Sequence, residues 1–71
     1  MIVTSEVAGS VWKIDRMAGQ MVAEGEVLMI LESMKMEIPV EAPIAGRITA
    51  VLVIEGQTIV DGQPLASIQE G

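Results

Sequence analysis

The 71-residue chain has no cysteine, no histidine, no phenylalanine and no tyrosine, and its single aromatic residue is Trp12. Without cysteine there is no disulfide framework, no thiolate metal site and no thiol nucleophile. Without histidine, the side chain most often used as general base or transition-metal ligand is missing too. Most hydrolytic and redox chemistry is thereby excluded, and neither a catalytic residue nor a metal site is expected. Positive charge is also scarce: four Lys+Arg stand against ten Asp+Glu, a net charge of −6. Nucleic acid and anionic membranes select clustered positive charge, so neither is an expected partner. No apolar run approaches the roughly 20 residues of a membrane-spanning helix. The N-terminus lacks the basic and apolar segments of a signal peptide, so the cytoplasm is the expected compartment.

What is present is apolar and β-leaning. Hydrophobic residues make up 51% of the chain, yet a domain of this size buries only about 60% of the surface its unfolded form exposes. Residues 1–71 therefore form one small domain without a deep catalytic cleft. Displaced by 37 positions, the chain matches itself: Ala8-Gly9 falls on Ala45-Gly46, Gly19-Gln20 on Gly56-Gln57, Gly25 on Gly62 and Leu28 on Leu65. Val11 meets Ile48, Val22 meets Ile59 and Leu31 meets Ile68 in the same register. The internal repeat covers about 7–33 and 44–70. Two copies are too few for a solenoid, and a pair of halves about a pseudo-twofold axis is expected.

Val- and Ile-rich segments separated by Gly, Pro, Asp and Gln read as short antiparallel strands. They are expected at Ile2–Thr4, Ser10–Ile14, Val27–Glu32, Met36–Val40, Arg47–Val51 and Pro64–Gln69, with shorter pieces at Met21–Val22 and Thr58–Ile59. The Gly-free stretch 26–38 carries good helix formers, but its repeat counterpart contains Pro64 and β-leaning Ser67-Ile68, which favours strand in both copies. The fold expected is all-β: a flattened antiparallel barrel or sandwich of two pseudo-twofold-related four-stranded halves. Trp12 is expected to cover one end of the core, Met17, Met21 and Met29 to fill core or rim, and Lys13 to face solvent.

The segment between the copies, Ser33-Met34-Lys35-Met36-Glu37-Ile38-Pro39-Val40, is the informative one. If the flanking strands pair, Met34-Lys35 lies at the tip of a very short turn. Two-residue hairpin turns favour Asn-Gly or Asp-Gly, because type I′ geometry needs positive φ at both central residues. Met-Lys contradicts that preference, and such local conflict marks functional sites. Two methionines flanking a surface lysine also put apolar side chains beside water. A lysine amine at a tip is an accessible acyl acceptor, but it is protonated at neutral pH, so a partner enzyme must supply the activated acyl group and the base.

Glu32-Ser33-Met34-Lys35-Met36 closely resembles the Glu-Ala-Met-Lys-Met motif of biotinyl domains, the carriers of biotin-dependent carboxylases, acetyl-CoA carboxylase among them. The resemblance extends to Ala8-Gly9, Gly19-Gln20, Gly25, Ala42-Pro43, Gly46, Gly56-Gln57 and Asp61-Gly62-Gln63-Pro64-Leu65, nearly the whole chain. It implies a lysine presented on a tight hairpin, with biotin as covalent cofactor on Lys35. A biotin protein ligase would attach it and would recognise Met34, Met36 and Glu32. It further implies a biotin carboxylase and a carboxyltransferase or decarboxylase as partners, the domain itself being a non-catalytic carrier. Ser33 departs from the usual Ala. The 37-residue register leaves no room for the protruding insertion of some carriers. Met1 and the lack of an Ala/Pro-rich linker point to a free-standing carrier.

Two other readings use the same fold. A lipoyl carrier domain also modifies a hairpin lysine, but usually with Asp before it and a small or aliphatic residue after it. An unmodified lipoyl-like adaptor would have no use for the amine. An enzyme acting alone is disfavoured, since Glu32, Glu37 and Glu41 are expected along a solvated face with no apolar pocket to raise a pKa.

Overall fold

Short β-branched segments divided by glycine turns give eight strands and no helix. A computed structural model describes residues 1–71: β1 (Ile2–Thr4), β2 (Gly9–Ile14), β3 (Met21–Val22), β4 (Val27–Ser33), β5 (Met36–Glu41), β6 (Gly46–Val51), β7 (Thr58–Ile59) and β8 (Pro64–Glu70). They form two antiparallel four-stranded sheets, ordered β1-β8-β6-β3 and β5-β4-β2-β7. The all-β sandwich expected from the sequence is the fold observed. Displacement by 37 residues carries β2 onto β6, β3 onto β7 and β4 onto β8, and carries one sheet order onto the other. Each sheet takes two strands from each copy, so the copies interlock rather than sit side by side.

β5, read from sequence as a connection between copies, is the structural counterpart of β1. Both are edge strands, each paired with the long last strand of a copy. Only Val3 and Val40 match between them in sequence, too little for the kinship to show.

The core follows the same symmetry. Val11 and Ile48, Val22 and Ile59, Leu28 and Leu65, and Leu31 and Ile68 are all buried in pairs related by the repeat. Consecutive Leu28-Met29 and Leu65-Ala66 both face inward because a register shift interrupts the alternation beside each, between Val27 and Met29 and between the partners of Val3 and Thr4. An extra residue in one strand bends it and breaks the period of two. Met29 is thus core, as expected. Met17 and Met21 are not: both are exposed on the surface. Trp12 is corrected likewise. It follows buried Val11 and so alternates outward, 50% exposed, and the register shift between Val11 and Lys13 then keeps Lys13 on the surface as well. The repeat counterpart of Trp12, Thr49, occupies the matching shift in β6 and shares a short hydrogen bond with Ser67. Lys13 faces solvent, 3.6 Å from Asp15.

The turns are duplicated to the level of single hydrogen bonds. The Ala23 amide donates to Glu26 Oε1 at 2.8 Å, and the Val60 amide donates to Gln63 Oε1 at 3.0 Å. The Gly19 amide donates to the Ile48 carbonyl and the Gly56 amide to the Val11 carbonyl, each at 2.7 Å. At Glu26 the acceptor is charged. The Ala23 amide, and then the Arg16 guanidinium at 3.0 Å, hold its carboxyl below the usual carboxylate range. The one buried polar side chain, Ser5, is paired with Val7, donating to its carbonyl at 2.6 Å.

Gly9 and Gly46 are required by close approach. A Cβ on Gly9 would collide with the Glu32 carbonyl oxygen, and one on Gly46 with the Gln69 carbonyl oxygen. Both obstacles are backbone and cannot swing aside. Gly9→Ala or Gly46→Ala should cost at least ~3 kcal/mol by overpacking, against a total of roughly 3–5 kcal/mol for a core of this size. Thermal melts should show a loss of more than about 10 °C; an unchanged midpoint would refute the close approach. Because the folded-state pKa of Glu26 is depressed, this group adds stability that is present above its unfolded pKa and lost as pH falls through its folded value. Glu26→Gln, which copies Gln63, should keep the bond to Ala23 and flatten that part of the acid limb in melts run from pH 7 to pH 3.

Candidate functional site

β4 and β5 pair from Val27↔Glu41 to Ser33↔Met36, leaving two residues, Met34 and Lys35, to reverse the chain. Their φ angles are 53° and 65°. Positive φ at both central positions is the backbone of the type I′ hairpin turn, whose twist matches that of the strands it joins. Every other residue of positive φ is glycine: Gly19, Gly25, Gly56 and Gly62. A side chain in the left-handed region costs about 1–2 kcal/mol per residue, and here two such residues are adjacent.

The strained tip stands on a firm base. Just below it, the Ser33 hydroxyl donates to the Ala8 carbonyl at 2.7 Å, tying β4 to the loop before β2. One residue further down, Gly9 lies against the Glu32 backbone. From sequence Ser33 stood out only as a departure from the usual Ala, and the tether was missed; the one signal was its hydroxyl.

Met34 is 91% exposed and Met36 62%, and Lys35 between them is exposed as well. The two ion pairs of the molecule, Lys13–Asp15 and Arg16–Glu26, leave Lys35 out. Glu32 and Glu37 are exposed and face one another across β4 and β5, an arrangement of like charges that destabilises the pair rather than clamping it. The two larger surface grooves, about 500 Å³ and 540 Å³, are lined by other residues and do not include 33–37. The lysine therefore projects from a convex end. Such a site can present an amine to another protein's active site; it has no walls to enclose a substrate of its own.

Comparisons with known proteins bear on the chain as a whole. A family model described as "Biotin-requiring enzyme" matches residues 1–68. The chain belongs to the biotin/lipoyl attachment family. Within that family it is 38% identical over 68 residues to the biotin/lipoyl attachment protein of Bacillus subtilis (strain 168), covering 96% of this chain and 93% of that one. It is 42% identical over 66 residues to the biotinylated protein TB7.3 homolog of Mycobacterium leprae (strain TN), covering 93% of each. Among solved structures it resembles part of the urea carboxylase of Kluyveromyces lactis, with a TM-score of 0.92 and 30% identity over 97% of this chain. The chain thus spans nearly the whole of two small relatives but 6% of that carboxylase.

The positive φ angles of Met34 and Lys35 make the tip's conformational cost measurable. Lys35→Gly should raise unfolding stability by about 1 kcal/mol, and Met34→Asn by about half as much, because these residues tolerate positive φ. Urea denaturation checks both; no gain from either variant would mean that the turn is unstrained.

Proposed function

We propose that the chain is a biotin carboxyl carrier and that Lys35 is its acceptor. The observation that carries this reading is an unpaired, exposed lysine at the tip of a strained two-residue turn, between two exposed methionines, on a fold of the attachment family. A sequence selected for folding alone would have Asn-Gly there. An amine selected for presentation needs reach, accessibility and a rigid base, and all three are built into the hairpin.

The attachment step is an acyl transfer. A biotin protein ligase would supply biotinyl-adenylate and a base; the neutral Nζ of Lys35 attacks the acyl carbon, the amide bond forms as one N–H proton passes to that base, and AMP leaves with the electron pair of the broken acyl–phosphate bond. Met34 and Met36, exposed on either side of the amine, offer the ligase an apolar grip, and Glu32 a carboxylate at the base of the hairpin. Once attached, biotin supplies a ring nitrogen that carries carboxylate between a biotin carboxylase and a carboxyltransferase or decarboxylase. The carrier's part is mechanical. A small rigid body holding a flexible arm raises the effective concentration of the carried group at successive active sites, and the domain performs no bond-making itself.

The biotinylated relative and the likeness to a carboxylase support the biotin reading. The experiment is intact-mass spectrometry after incubation with a biotin protein ligase, ATP and biotin. One biotinyl increment is expected on the wild type and on Lys13→Arg, and none on Lys35→Arg. The Lys35→Arg variant should melt within about 0.5 kcal/mol of the wild type, as expected for an exposed substitution. A folded wild type that takes no biotin would overturn the reading, and an increment from lipoate ligase and lipoate instead would assign the alternative carrier role.

A further inference from the structure

We infer that Met34 and Met36 are a redox-sensitive modification site that gates acylation of Lys35: peroxide converts their thioethers to sulfoxides, and the oxidised hairpin is no longer an acceptor. This rests on the carrier reading given above. Three observations lead to it. Met34 is 91% exposed, the most exposed of the large hydrophobic side chains, and Met36 is 62% exposed. Both are adjacent to Lys35 in sequence, and Met36 pairs with Ser33 at the last rung of the hairpin. Finally, Met34 holds a left-handed conformation that folding would assign to Asn or Gly, so its apolar side chain is kept for contact with something else.

Methionine oxidation acts on that contact surface. The sulfur lone pair attacks one oxygen of hydrogen peroxide, the S–O bond forms, the O–O bond breaks, and the departing hydroxide takes up a proton to leave as water. Sulfur is oxidised by two electrons and the peroxide reduced by two. The product is a polar, chiral side chain where a flexible apolar one stood. Its strongly hydrated S=O would have to be stripped of water to enter an apolar surface on the ligase. Reversal consumes two thiols per sulfoxide and returns thioether, disulfide and water, catalysed by one reductase for each sulfoxide epimer.

The site is separable from the molecule's other methionines. Met29 is 1% exposed and shielded by the core. Met1 is 62% exposed and is bonded through its backbone to Ile68 of β8, Met17 lies in the loop after β2, and Met21 pairs with Arg47; β8 and β3 belong to the sheet that does not carry the hairpin. Oxidation at any of the three leaves the tip untouched. Sulfoxides at positions 34 and 36 also leave the fold intact, since neither side chain is buried.

The test uses the unmodified domain and a Met17→Leu/Met21→Leu variant, each treated with hydrogen peroxide. Sulfoxides are located by peptide mass spectrometry, thermal melting is recorded, and the rate of biotin incorporation by a biotin protein ligase is measured before and after. Oxidation at Met34 and Met36 is expected to precede any at Met29, with an unchanged melt and an acceptor rate lower by at least about tenfold in both proteins. Methionine sulfoxide reductases of both epimer specificities, with a thiol reductant, should restore the rate. An unchanged rate with both sulfoxides present would overturn the proposal, as would a loss that disappears in the Met17→Leu/Met21→Leu variant or that the reductases fail to reverse. An untreated, folded domain that accepts no biotin overturns the carrier reading and this proposal with it, whereas each of the other adverse results removes this proposal alone.

Discussion

Neither copy of the repeat can satisfy its own strands, and the rest of the molecule follows from that constraint. β1 finds its hydrogen-bond partner in β8, and β3 finds its own in β6; β7 in turn pairs with β2. A half-formed molecule would leave backbone groups and the inner faces of both sheets in water. Interlocking joins two cores made of Val, Ile, Leu, Met and Ala in a chain that has one aromatic residue and no cysteine. The repeat itself puts Gly9 and Gly46 at equivalent points of close backbone approach, each between two paired strands of one copy, β2 with β4 and β6 with β8.

That stiffness is what permits the tip to be locally unfavourable. Six register pairs connect β4 and β5 below the turn, and the Ser33 tether and the Gly9 contact fix the last of them from the side. Two left-handed, non-glycine residues can then be held against their preference, because relaxing them would mean unzipping a strand that is central to its sheet. Stability is generated in the shared core and spent at one end, where the backbone conformation serves presentation rather than folding.

Much of this was legible in the sequence, for identifiable reasons. The strands were visible because Gly and Pro punctuate β-branched runs, and the symmetry because the core residues and turn glycines recur at one spacing. The hairpin tip was visible as a contradiction: Met34-Lys35 where turn chemistry demands Asn-Gly. What escaped was whatever depends on register. Lys13 would alternate inward two places after Val11 and is kept outside by the register shift at Trp12, while β3 is too short for its two-residue pattern to place Met21. Ser33 resembled a neutral replacement because its partner, the Ala8 carbonyl, is 25 positions away. The kinship of β1 and β5 was hidden because edge strands share little beyond one inward valine.

In strand topology the symmetry is broken at one place. Where the first copy has the lysine hairpin, the second has the two ends of the chain: β8 finishes beside the start of β1 as β4 finishes beside the start of β5. In topological terms the molecule is a nearly closed ring of strands, cut once. A circular permutant, opened between Met34 and Lys35 and sealed by a short bridge between Gly71 and Met1, would keep every strand pair while moving the free ends to the tip. The strand pairing is thus the same for a ring open between Gly71 and Met1 and for one open between Met34 and Lys35, and only the first opening leaves the lysine on an unbroken loop.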